Sequence, residues 1–116
     1  MAVFLVVQRQ DKPEEKIEIQ VSKRIVLGQS QYCDVFLNDK NIAKMQCEIE
    51  PVKSGHIVAT NVDKKKDVFL NENKLKRSGI KKDDVLKIGQ YIVRIDSSKL
   101  TPEELAVINS EFEEFV

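Results

Sequence analysis

The apolar residues of this chain fall in short β-prone runs, some alternating with polar residues, separated by charged or glycine-containing breaks. Ala2 to Gln8 is a β-branched apolar run, followed by the turn-like Asp11-Lys12-Pro13. Ile17, Ile19 and Val21 alternate with Lys16, Glu18, Gln20 and Ser22, which predicts a strand with one wet face. Arg24 to Leu27 makes a further run closed by Gly28, and Val35-Phe36-Leu37 ends in the loop-like Asn38-Asp39-Lys40-Asn41. From Gln46 to Val52, Cys47 and Ile49 fall on one side and Glu48 and Glu50 on the other. Ser54-Gly55 then leads into His56 to Thr60, so these two runs are expected to form a hairpin. Val68-Phe69-Leu70, the turn-bounded Leu75, Val85 to Gly89 and Tyr91 to Ile95 complete the set. About ten short strands with frequent breaks predict an all-β antiparallel sandwich or barrel.

The pattern changes after residue 98. Thr101-Pro102-Glu103-Glu104 combines a capping hydroxyl, a proline at the first helical position and acids at the positive end of the dipole. Leu105, Ile108, Phe112 and Phe115 follow at three- and four-residue steps, with Glu104, Glu111 and Glu114 opposite. An amphipathic helix of about four turns is expected. The division is a sandwich over 1–98 and a helix over 99–116. Its apolar stripe must be buried, either on the chain's own sheet or on a second copy or another protein.

The totals narrow the function. A length of 116 residues fits one domain with a core that needs no disulfide or metal. A formal net charge of zero leaves only local patches to attract nucleic acid or an anionic membrane, and neither partner is expected. No apolar run approaches the roughly 20 residues that span a bilayer, and the opening segment lacks the basic start of a signal peptide. Cys33 and Cys47 have no CxxC spacing, which fits a reducing intracellular compartment. The single histidine, His56, lies among apolar strand residues and is read as structural. Asp83-Asp84 is read as a turn. With no nucleophile elbow, no phosphate loop and no convergent ligand set, no catalytic residue, metal or cofactor is expected.

The run Leu27-Gly28-Gln29-Ser30-Gln31-Tyr32-Cys33-Asp34-Val35-Phe36-Leu37 resembles the Gly-Arg-Ser-x-x-Cys-Asp-Ile-x-Leu signature of forkhead-associated (FHA) domains. Val68-Phe69-Leu70-Asn71-Glu72-Asn73-Lys74-Leu75 is similar to the family's Thr-x-Val-Asn-Gly-x-x-Leu turn, and Ile80 to Gly89 to its closing Leu-x-x-Gly-Asp-x-Ile-x-Ile-Gly element. The three landmarks cover residues from about 24 to 96 in the family's order. The resemblance implies an FHA-type β-sandwich of about eleven strands whose loops read phosphothreonine at one end.

The departures from that pattern fall in the reading loops. A threonine phosphate carries nearly two negative charges and several acceptor oxygens, so its site requires a guanidinium with well-placed hydroxyl and amide donors. The family's arginine position is Gln29 here, its Ser-Arg-x-His segment is Ala43-Lys44-Met45-Gln46, and its Asn-Gly pair falls on Lys66-Asp67. Each lost charge-assisted bond costs roughly 1.5–3 kcal/mol. The expectation is a degenerate, or pseudo-FHA, domain without phosphothreonine recognition. It would act as a protein-association module, forming a homodimer through Leu105, Ile108, Phe112 and Phe115 or through an apolar edge strand. The alternative is an atypical phosphopeptide reader that meets the phosphate with Lys44, Lys64, Lys65 and Lys66, point charges that lack the bidentate fork. The resemblance extends to N-terminal FHA modules of DNA-damage checkpoint mediators, which implies a nuclear scaffold beginning at Met1.

Overall fold

The computed structural model describes residues 3–114. The strands are β1 (Val3–Arg9), β2 (Lys16–Val21), β3 (Ile25–Gly28), β4 (Val35–Phe36), β5 (Cys47–Pro51), β6 (Ile57–Asn61), β7 (Phe69–Leu70), β8 (Asn73–Lys74), β9 (Arg77–Gly79), β10 (Leu86–Ile88) and β11 (Tyr91–Ile95). A 3-10 turn at Ser97–Lys99 leads to α1 (Pro102–Asn109). One sheet has the order β2-β1-β11-β10-β7-β8 and the other β4-β3-β5-β6-β9. All pairings are antiparallel except β3 with β4. This is the expected two-layer sandwich.

Strand alternation explains the core. Val3, Leu5 and Val7 on β1, Leu27 on β3, Ile49 on β5 and Leu86 on β10 are buried between the layers, while the alternate residues Phe4, Val6, Val26, Glu48, Glu50 and Lys87 are less buried. The hairpin expected around Ser54-Gly55 is present, with Ile49 opposite Ala59 and Pro51 opposite Ile57. On β2, Val21 is buried, Ile19 is half-buried and Ile17 is 52% exposed. The alternation is right, but the strand runs past the end of the core.

A buried carboxylate locks two loops together. Asp39 accepts from the Asn41 and Gln90 backbone N–H groups at 2.8 and 3.0 Å. Gly89 has φ +56°, and a Cβ there would lie 2.6 Å from Asp39 Oδ2, so both the turn and the close approach call for glycine.

The terminal helix is shorter than its periodicity predicts. Its start has the expected capping box: Glu104 N–H donates to Thr101 Oγ1 and Thr101 N–H to the Glu104 carboxylate. It ends after eight residues at Asn109, about two turns rather than four. Tertiary bonds compete with the next turn: Asn109 Oδ1 accepts from Lys82 N–H, and Ser110 Oγ meets His56 Nε2 at 2.9 Å. Phe112 reaches the sheet from an extended segment, against Gly79 and 5.6 Å from the His56 ring.

Candidate functional site

The loops expected to read a ligand converge on one buried side chain. Gln46 is 1% exposed and precedes β5. Its Oε1 accepts from Ala43 N–H at 2.9 Å, and its Nε2 donates to Asn61 Oδ1 at 2.9 Å and to the carbonyls of Asp63 and Lys66 at 3.2 and 3.3 Å. Asn61 adds a bond from Nδ2 to the same Lys66 carbonyl. The sequence reading treats Gln46 as a lost histidine. The structure shows a side chain with donors and acceptors engaged, which joins the 43–46 loop to the 62–67 loop. The signal in the sequence was a lone carboxamide at the start of an otherwise apolar-alternating strand.

The 29–34 loop is fixed to the same frame. Gln29 and Ser30 N–H donate to the carbonyls of Ala43 and Lys44 at 3.0 and 3.1 Å, and the Cys33 thiol also donates to Lys44 O. Asp34 reaches back to accept from Val26 N–H at 2.8 Å. Gly28 permits this approach, since a Cβ there would lie 2.2 Å from Lys44 O. Burial pushes the Cys33 thiol up, and pushes Cys47 up to about 12. Both cysteines are free and poorly nucleophilic as thiols.

The assembled end combines neutral side chains with exposed lysines. Gln29 is half-buried and uncharged, and Ala43 is buried. Asp67 is paired with Lys74 at 3.6 Å. Lys44, Lys64, Lys65 and Lys66 are exposed, and the bonds to Gln46 and Lys44 O bring their loops to the same end. Tyr32 is 89% exposed and Met45 53% exposed, an aromatic and a thioether that sequence reasoning passed over. These loops therefore expose an aromatic ring, a thioether and lysine charge.

The expected association stripe is arranged differently. Ile108 is 1% exposed and belongs to the core. Leu105 and Phe112 are half-buried, and Phe115 lies outside the described residues. Ile108 is therefore corrected from a candidate surface residue to a core residue. The segment beyond α1 is held by Arg77, whose guanidinium meets both Glu114 oxygens and Glu50, and by Lys81 on Glu111 at 2.8 Å. These bonds hold the Glu111 and Glu114 carboxyls below the usual range. His56 is built into the fold: its Nδ1 meets Ser54 Oγ at 2.6 Å and its Nε2 meets Ser110 Oγ at 2.9 Å, while Ser110 Oγ donates to Val107 O. Asp84 closes its turn by accepting from Lys81 N–H at 2.7 Å. Among the described residues, no group of three or more His, Cys, Asp or Glu side chains is placed to hold a metal. No helix there is long and apolar enough to cross a membrane.

Residues 14–99 match the family model described as "Inner membrane component of T3SS, cytoplasmic domain". The chain belongs to this family. Its sandwich is the FHA fold, as the similar solved structures show. The FHA domain of the CT664 protein from Chlamydia trachomatis has a TM-score of 0.69 at 16% identity, over 82% of this chain and 96% of that one. The FHA domain of an Arabidopsis thaliana hypothetical protein has a TM-score of 0.68 at 19% identity, over 81% and 83%. A structure from work on phosphothreonine-dependent FHA domain interactions has a TM-score of 0.68 at 15% identity, over 88% and 99%. Comparison with the curated proteins gives no match. At these identities the structural likeness carries the fold of this FHA-type domain and leaves its ligand to the residues themselves.

Proposed function

We propose that this FHA-type domain is a non-catalytic protein-association module that has given up phosphothreonine recognition and joins copies of a larger scaffold protein. The observation that supports the loss is Gln29, an uncharged and half-buried side chain where the family's guanidinium would stand. Around it the loop frame is intact, so the change is in the contact groups rather than in the fold. Tyr32 and Met45, exposed on the same loops, suit an apolar protein contact better than a phosphate.

Self-association is the simplest use of such a module. Sedimentation equilibrium on the intact chain tests it: the reading expects a mass approaching twice 13.3 kDa as concentration rises. A 13.3 kDa species up to the solubility limit would overturn it.

A second reading is favoured by the placement of Lys44 and Lys64 to Lys66 on loops that share the Gln46 frame. In it, the module binds a phosphopeptide through these point charges. Such binding would weaken steeply with salt, which calorimetry at two ionic strengths would reveal.

The setting we infer is intracellular and reducing, supported by two free thiols. A nuclear DNA-damage scaffold is carried over from the resemblance to checkpoint-mediator modules. The family's description names an inner-membrane component, so a membrane-anchored parent protein is the competing setting. Fractionation of cells expressing the tagged parent protein separates the two.

A further inference from the structure

We infer that the open edge of β2 is the surface through which two copies of this chain pair, antiparallel, with Ile17 facing Ile17 and Lys16 facing Glu18. This rests on the self-association reading above and names its surface.

Among the described residues β2 bonds only β1, and it forms one end of its sheet. The direction of its backbone groups follows from β1. Arg9 N–H donates to Glu15 O on the β2 side, whereas Gln10 N–H donates to Gln90 O, and Phe4 O accepts from Asp96 N–H, on the opposite side. Odd-numbered residues of β1 therefore turn their backbone groups to β2. Their partners are Ile17, Ile19 and Val21. The N–H and C=O groups of Lys16, Glu18 and Gln20 are left pointing along the open edge. Among the described residues, no turn, loop or cap hydrogen bond uses them.

Exposure points to the same place. Ile17 stands opposite Val7, a core residue, and so faces the interior side of its sheet. It is nevertheless 52% exposed. Phe36, on the end strand of the other sheet, is 51% exposed. The two share a groove of about 380 Å³ with Val7 and Tyr91 at the side of the sandwich.

Charge selects the occupant. Pairing the edge with its own copy about Glu18 would set two carboxylates face to face. Pairing about Ile19 sets Glu18 against Gln20 and Lys16 against Ser22. Pairing about Ile17 sets Lys16 against Glu18 twice, by symmetry, and brings the two Ile17 side chains together as a non-hydrogen-bonded pair, the closer of the two cross-strand spacings. An edge carrying charges ordinarily discourages indiscriminate pairing. Here the same charges are satisfied by the sequence itself read backwards, in one register. A two-fold symmetric dimer requires that self-complementarity.

The test is sedimentation equilibrium on the wild type, Lys16→Glu, Glu18→Lys and the double exchange, each shown by circular dichroism to be folded. Lys99→Gln serves as a control, because Lys99 already contacts Glu18 across the sheet face. Each single reversal is expected to weaken dimerisation about tenfold, and the double exchange to restore it. Hydrogen exchange of the unmodified chain is the mutation-free counterpart. The amides of Lys16 and Glu18 should gain protection with concentration, while those of Ile17 and Ile19 should not change. A dimer indifferent to the reversals, or without that alternating protection, would overturn the β2 assignment and leave self-association standing. A monomer at every concentration would overturn both.

Discussion

The carboxamide nitrogen of Gln46 lies 2.9 Å from Oδ1 of Asn61, and through this pair the loop before β5 is joined to the end of β6. Both residues also hold the Lys66 carbonyl. The end of the sandwich is thus organised by neutral amides. A frame of this kind can be rigid without carrying charge toward a ligand.

Replacing Gln46 with Ala is expected to destabilise the domain by about 2–3 kcal/mol, because it strips partners from buried Ala43 N–H and from three acceptors. Urea unfolding measures the loss. Gln46→His, which keeps one donor and one acceptor, should cost less than Gln46→Ala.

Gly28→Ala would force a methyl group to within 2.2 Å of the Lys44 carbonyl oxygen and 2.8 Å of its carbon. Backbone must move, at a cost of about 2–3 kcal/mol. Chemical shifts should change in both the 29–34 and 43–46 loops, because Gln29 and Ser30 bond across the same contact.

The β7–β8 turn contains Asn71 at φ 50° and Glu72 at φ 73°. A left-handed conformation costs a non-glycine residue roughly 1–2 kcal/mol, and Asn-Gly is the favoured pair in such turns. Glu72→Gly is expected to stabilise the domain by about 1 kcal/mol, seen as a higher urea midpoint at unchanged slope.

The segment after α1 should loosen in acid. The Glu111 and Glu114 carboxyls are lowered chiefly by hydrogen bonds from Lys81 and Arg77. Groups lowered on folding contribute above their unfolded value, here 4.5, and lose that contribution as pH falls through the folded one. Lys81 and Arg77 are raised, so their share is lost only in strong alkali. Amide exchange at Phe112 should be flat through neutral pH and rise, relative to its intrinsic rate, below the ordinary glutamate range.

Ile108→Ala should cost about 3 kcal/mol, since Ile108 is 1% exposed, and should leave the oligomeric state of the folded protein unchanged. A loss of association without a loss of stability would return Ile108 to the surface role expected from periodicity.

Local patterns carried most of the fold. Alternation predicts β2 and β5, short β-prone runs predict β1 and β11, Ser54-Gly55 predicts the β5–β6 hairpin, and Thr101 with Glu104 predicts the start of α1. The end of α1 was not legible, because Leu105, Ile108 and Phe112 keep helical spacing while His56 and Lys82, distant in sequence, hold Ser110 and Asn109. Ile17 illustrates a related limit: alternation assigns its face but not whether the core extends beneath it. In the loops, Gln29 reads as a lost charge from its identity alone. Gln46 reads as a loss too, and only its partners show that it organises the site.

The most direct test of the central claim is a heteronuclear NMR titration of the folded domain with a degenerate phosphothreonine peptide mixture, beside the same peptides without phosphate. The account predicts that the resonances of Gln29, Ser30, Lys44 and Lys66 do not move in response to the phosphate. Saturable shifts of those four, present with the phosphopeptides and absent with the unmodified ones, would contradict it.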